Sequence, residues 1–197
     1  MEITSAQLKE LRDQTGISVM QCKRALEEAG GDMEKAIIIL KKKRSDAADK
    51  KSDREIGAGA VGSYVHNTNE IAALVLLGCE TDFVSKNPEF VALSKEIAMQ
   101  VAATNPSYIS RAEVPESALE KAKELFSAEV VGKPAEMQEK ILEGKLSSYF
   151  KEMILLEQPF IKNPDQTVAD YVKEGIARLG ENIIVRRISR MQLGEVA

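Results

Sequence analysis

The run Ile71-Ala72-Ala73-Leu74-Val75-Leu76-Leu77-Gly78-Cys79 constrains this chain more than any other stretch. It carries no charge, is far too short to span a bilayer, and is bounded by polar residues, which suits a strand. Read with a period of two, Ile71, Ala73, Val75, Leu77 and Cys79 share one face, and Ala72, Leu74, Leu76 and Gly78 share the other. Both faces are apolar, which predicts a central strand buried on both sides. Thr81-Asp82-Phe83-Val84 follows at once, and Asn87-Pro88 then opens a helix with a capping residue and a proline in the first helical position. A tight loop between that strand and that helix lifts Asp82 and Phe83 onto the rim. An aromatic ring beside a carboxylate, on a loop with a stiff base, suits contact with another protein. The more ordinary reading of a phenylalanine just after a strand is packing into its own core.

The first forty residues read as three short helices. Thr4 with Gln7 opens one and Ser18 with Gln21 opens the next, both with the spacing of a capping box, and Asp32 caps the third. Thr15-Gly16 and Gly30-Gly31 end the first two. Leu8 and Leu11, then Val19, Cys22, Ala25 and Leu26, then Met33, Ala36, Ile37 and Leu40 recur at helical spacing. None of these helices is long enough to be stable alone, so the three are expected to share one core over residues 1–43. The layout resembles the ubiquitin-associated type of three-helix module, and so admits a ubiquitin-binding adaptor as an alternative function.

Residues 44–55 continue a charged stretch. From Lys41 to Glu55 there are seven Lys or Arg and four Asp or Glu with small residues between them, which reads as an inter-domain linker without a packed face of its own. Lys41-Lys42-Lys43-Arg44 is better explained as a solvated helix C-terminus than as a nucleic-acid site. Residues 56–197 then read as an α+β domain. Gly57–His66 is a glycine-rich strand and Asn67-Thr68-Asn69 a turn into the apolar strand. A helix over Pro88–Thr104 carries Phe90, Val91, Ser94, Ile97, Ala98 and Val101 as its apolar stripe. Val114-Pro115-Glu116 opens another helix, and Gly132-Lys133-Pro134 separates it from a longer one, so the two form a helical hairpin. Thr167–Leu179 is the last helix. Asn182–Met191 is a third strand, with Ile184 and Ile188 set against Arg186 and Arg190. A three-stranded antiparallel sheet packed with helices results.

Composition narrows the function. A net charge of −4 and a pI near 5.3 argue against a dedicated nucleic-acid binder. The N-terminal residues lack the basic-then-apolar pattern of a signal peptide, and no apolar run is long enough for a membrane span, so a cytoplasmic protein is expected. Two cysteines imply no disulfide framework, and one histidine leaves little material for metal or Ser-His-Asp chemistry, so neither metal nor cofactor is expected. An enzyme would have to use Cys22 or Cys79 with His66, which no motif ties together.

Cys79-Glu80-Thr81-Asp82-Phe83-Val84 resembles the T-D-F-V signature of the elongation factor Ts family. Further stretches agree in order: Leu11-Arg12-Asp13-Gln14-Thr15-Gly16, Cys22-Lys23-Arg24-Ala25-Leu26, Glu157-Gln158-Pro159-Phe160 and Gly180-Glu181-Asn182-Ile183-Ile184-Val185-Arg186-Arg187. The resemblance implies a guanine-nucleotide exchange factor, without covalent chemistry, for the translational GTPase elongation factor Tu. It implies that Phe83 enters an apolar gap between two helices of the GTPase while Asp82 and the loop backbone, with Thr81 and Val84, hold them apart and dislocate magnesium in the partner. Arg12, Val19, Met20 and Lys23 are carried over as contacts of the N-terminal module, one of Val19 and Met20 being expected in the core. The chain resembles the family's short form, which is associated with homodimers. An exposed strand edge offers a route to one, and Ser189 in the last strand makes any such dimer non-covalent.

Overall fold

The computed structural model of the chain describes residues 3–130 and 134–195. The chain folds into two compact units: Met1–Glu55 with Lys173–Asn182, and Ile56–Val172 with Ile183–Ala197.

The first unit opens with α1 (Ser5–Thr15), α2 (Val19–Glu28) and α3 (Met33–Asp49). Each start is a side-chain cap. The Thr4 hydroxyl accepts from the Gln7 amide at 3.2 Å while Gln7 reaches back to the Thr4 amide, Ser18 accepts from Gln21, and Asp32 accepts from Lys35 at 3.1 Å. Gly16 takes the left-handed conformation that ends α1. Leu11, Cys22, Ala25, Leu26, Ala36 and Leu40 form the shared core, with Leu8, Ile17, Met33 and Ile37 packed against it. Burying these residues together offsets the cost of nucleating three short helices.

Two expectations fail in this unit. Val19 and Met20 are both exposed, because Ile17, just before the cap, fills the core position ahead of Cys22. The charged stretch after Leu40 is helical as far as Asp49 and does have a packed face. Ala48 is buried, Arg44 donates to Glu174 at 2.7 Å and to the Thr15 carbonyl, and Lys173 pairs with Asp49 at 3.1 Å. Lys51 and Asn182 add bonds to the Gly180 and Ser52 carbonyls. The residues that answer these charges come from Lys173–Asn182, more than a hundred positions along the chain.

The second unit is built on an antiparallel sheet of β1 (Ala58–Val65), β2 (Ile71–Cys79) and β5 (Ile183–Gln192), with β2 in the centre. The β1–β2 turn uses Asn69 at positive φ. One face is covered by α5 (Pro88–Thr104), whose Phe90, Leu93, Ile97, Ala98 and Val101 are buried with Ala73, Val75, Leu77 and Cys79. Gly62 permits the close approach of β1: a Cβ there would lie 2.3 Å from the Ser94 carbonyl carbon.

The other sheet face is open, contrary to the expectation of a strand buried on both sides. Leu74 and Leu76 of β2 are 43% and 36% exposed, beside Val61, Val65 and Met191. Among the described residues α5 is the long helix that packs on the sheet, on the other face, while at the β2 end of the far face Gly78 is buried beside the Ile56 and Arg186 side chains. The last strand also departs from simple alternation. Leu76 faces Arg187 and Leu77 faces Val185, leaving Arg186 as an extra residue in a bulge. Ile184 therefore lies on the open face and Ile188 on the covered one. Arg190, expected on a wet face, is instead on the covered side and donates to the Ala102 carbonyl at 3.0 Å.

Beyond α5, α6 (Glu116–Val130) and α7 (Ala135–Met153) pack on each other around Val114, Ala122, Phe150 and Ile154. The expected break at Gly132-Lys133 lies outside the described residues, and α7 runs straight through Gly144. A short ladder of β3 (Pro159–Phe160) and β4 (Asn163–Thr167), not expected from the sequence, is clasped by buried Gln100, which bonds Gln158, Pro159 and Ile161. Its two-residue first strand, opening on proline, has no period to read. Helix α8 (Val168–Leu179) follows, opened by a reciprocal Thr167–Asp170 cap.

Candidate partner-binding turn

The central strand delivers the chain to a single helical turn rather than an open loop. Cys79, fully buried at the end of β2, donates its thiol hydrogen to the Thr81 carbonyl at 3.2 Å. Thr81, extended, stands before the four-residue turn α4 (Asp82–Ser85). The Thr81 carbonyl also accepts from the Ser85 amide at 3.2 Å, the Asp82 carbonyl from the Lys86 amide and the Ser85 hydroxyl, and the Val84 carbonyl from Asn87 at 2.9 Å. Asn87 then caps α5 through the Glu89 amide at 2.9 Å. The segment from Cys79 to Pro88 is thus held by several hydrogen bonds, with its base in the sheet and its exit in a seventeen-residue helix.

On this frame Phe83 is 84% exposed, the highest value among the described large apolar residues. The core-packed reading of Phe83 is excluded. A hydrogen-bonded turn spares a partner the cost of ordering the backbone that carries the ring. Thr81 and Asp82 are exposed and Val84 is half-buried under the turn. Asp82 is not bare: Lys86, one turn on, donates to its carboxylate at 2.7 Å. That hydrogen bond, with the Lys86 charge, holds the Asp82 carboxyl below its ordinary value. Lys86 is absent from the expected site, although its place four residues after an aspartate is a signal the sequence carries.

The four residues carried over to the N-terminal module lie in the first unit. Val19 and Met20 occupy the first turn of α2, 47% and 68% exposed, and Lys23 follows one turn later, 3.9 Å from Glu27. Arg12 is exposed on α1. An apolar pair beside cations is a reasonable contact surface.

Cys79 is not brought to His66. Cys79 and His66 stand at opposite ends of the β1–β2 hairpin, the length of β2 apart, and His66 Nδ1 meets the Tyr64 hydroxyl at 3.2 Å. Among the described residues no group of three His, Cys, Asp or Glu could hold a metal ion, and no helix is long and apolar enough to cross a membrane.

Comparison with known proteins gives the family of the chain. The elongation factor TS family model matches residues 48–195, which include all of α4. The chain is 53% identical to elongation factor Ts of Carboxydothermus hydrogenoformans over 195 residues, 98% of this chain and 90% of the relative. This chain belongs to the elongation factor Ts family. It is also 49% identical to elongation factor Ts of Thermodesulfovibrio yellowstonii, with 99% of this chain and 98% of the relative covered. Elongation factor Ts of Coprothermobacter proteolyticus matches over its full length at 47% identity. Membership makes the chain a translation elongation factor. The relatives extend over the three-helix unit, most of which precedes the region that the family model matches.

Proposed function

We propose that this chain binds elongation factor Tu in its GDP state and accelerates GDP release, acting in the cytoplasm as a guanine-nucleotide exchange factor without covalent chemistry. The observation that carries this reading is Phe83, 84% exposed on a hydrogen-bonded turn at the end of the central strand. Phe83 enters an apolar gap in the GTPase, and Asp82 with the backbone of Thr81 and Val84 holds the gap open. A GTPase keeps its nucleotide through backbone amides and a magnesium ion, and magnesium tolerates little departure from octahedral geometry. A small displacement of its surroundings therefore costs the nucleotide its anchors.

Magnitudes show that the turn does not act alone. Burying one phenylalanine contributes roughly 1.5–3 kcal/mol, while a thousandfold faster release needs about 4 kcal/mol. Docking by Arg12, Val19, Met20 and Lys23 supplies the remainder, provided it is tighter in the nucleotide-free complex. Linkage makes the effect reciprocal, so that rebinding nucleotide ejects the factor.

The test is release of fluorescent GDP from elongation factor Tu with magnesium present. Wild type should accelerate it strongly, and a folded Phe83→Ala variant should lose most of the acceleration. Acceleration unchanged by the substitution would remove Phe83 from the mechanism, and none by wild type would overturn the reading.

A second reading, a non-covalent homodimer, is favoured by the open sheet face rather than by a strand edge. Val65, Ala72 and Met191 form one cross-strand row, and Val61 and Leu76 lie in another beside Arg187. Two copies packed through this face bury both apolar rows, in the isologous arrangement of a two-fold dimer.

A further inference from the structure

We infer that Lys86 is a positioning residue for exchange: its ammonium group fixes the Asp82 carboxylate beside Phe83 before the partner arrives. The inference rests on the exchange reading above and adds a residue to it. Lys86 Nζ donates to Asp82 Oδ2 at 2.7 Å across one helical turn, and the two side chains are 76% and 61% exposed. An exposed pair of this kind contributes little to stability, so holding the fold together does not account for it. Its place does.

Asp82 begins a turn that lacks a side-chain cap at Thr81. In the absence of an anchor its carboxylate would sample several rotamers in water, and a partner would have to select one of them on docking. Lys86 can supply that anchor because its own backbone is fixed. Its amide donates to the Asp82 carbonyl at 3.2 Å, and the next residue, Asn87, caps α5. The ammonium is therefore attached to the same rigid frame that presents Phe83. When the partner covers Phe83 it also excludes water from the neighbouring ion pair. The pairing then strengthens at the moment it is needed.

The test is a double-mutant cycle on GDP release from elongation factor Tu, with wild type, Lys86→Met, Asp82→Asn and the double variant. Lys86→Met keeps the aliphatic stem and removes the charge. It should slow release about fivefold, the size of coupling between two groups in contact, and Lys86→Arg should restore most of the rate. In the Asp82→Asn background, Lys86→Met should have no further effect. A readout without the partner accompanies the cycle: the 13C carboxyl resonance of Asp82 should titrate at higher pH in Lys86→Met than in wild type. An unchanged rate for Lys86→Met overturns the inference. So does an equal loss in both backgrounds, which would place Lys86 directly on the partner, and so does an unmoved Asp82 titration. Failure of wild type to accelerate release overturns the exchange reading and this inference with it, and is distinguished by that control alone.

Discussion

Asp32 and Asp82 are both carboxylates held below their ordinary pKa, for different reasons and with different consequences. At Asp32 the first cause is the Lys35 backbone amide, which the carboxylate caps at the start of α3. A depressed folded-state pKa contributes stability above the unfolded value, and that stability is lost as pH falls through the folded one. Asp32→Asn keeps the acceptor and removes the titration. Its unfolding midpoint should therefore fall less steeply than that of wild type below about pH 4, followed by circular dichroism. At Asp82 the cause is the Lys86 hydrogen bond and charge, and in the proposed mechanism the carboxylate serves docking. Asn87 is a residue of a third kind, whose amide side chain caps α5 directly behind the turn. Asn87→Ala should lower global stability by about 1 kcal/mol in urea denaturation. It should also weaken exchange, because the exit of α4 is no longer fixed.

Among the elements, the contact between β1 and α5 decides how firmly the turn is held. Gly62 has room for hydrogen only, since an added Cβ would meet the Ser94 backbone, which cannot swing aside. Gly62→Ala should lift α5 from the sheet, cost about 1–3 kcal/mol in chemical denaturation, and reduce exchange although no contact residue is changed. The elements themselves are legible wherever local chemistry determines them. Thr4, Ser18, Asp32 and Asn87 mark the helix starts they cap, and Pro88 stands at the α5 start that the sequence predicts. Legibility ends where the answer depends on what covers a face. Ala72, Leu74 and Leu76 are as apolar as Val75 and Leu77, and no pattern within β2 distinguishes the open side from the covered one. The same holds for Val19, displaced from the core by Ile17, and for Arg186, whose bulge exists only against β2. At the turn, the exposed ring and its carboxylate are readable, whereas the Asp82–Lys86 pair becomes visible once the four residues between Thr81 and Lys86 are known to be helical.

For the molecule as a whole, the open sheet face is the surface through which the proposed dimer would form. Leu74 sits near the middle of that face with Ser63 and Ser189 beside it. Leu74→Glu should shift the sedimentation of the chain from dimer to monomer at micromolar concentration, while Phe83-dependent exchange, which lies at the strand's end, persists in the monomer. A single species unaffected by the substitution would count against the dimer. The central strand has a further consequence, in the order of events during synthesis. One edge of β2 is closed at once by the hairpin to β1, but its other edge waits for Ile183–Gln192. Roughly a hundred residues separate the two, or about 5–20 s of translation. Through that interval the Thr81–Val84 turn already exists while the strand beneath it has one side unpaired. A nascent or truncated chain therefore carries the proposed exchange turn on an incomplete base, and the proposed activity is expected only once the last strand is in place.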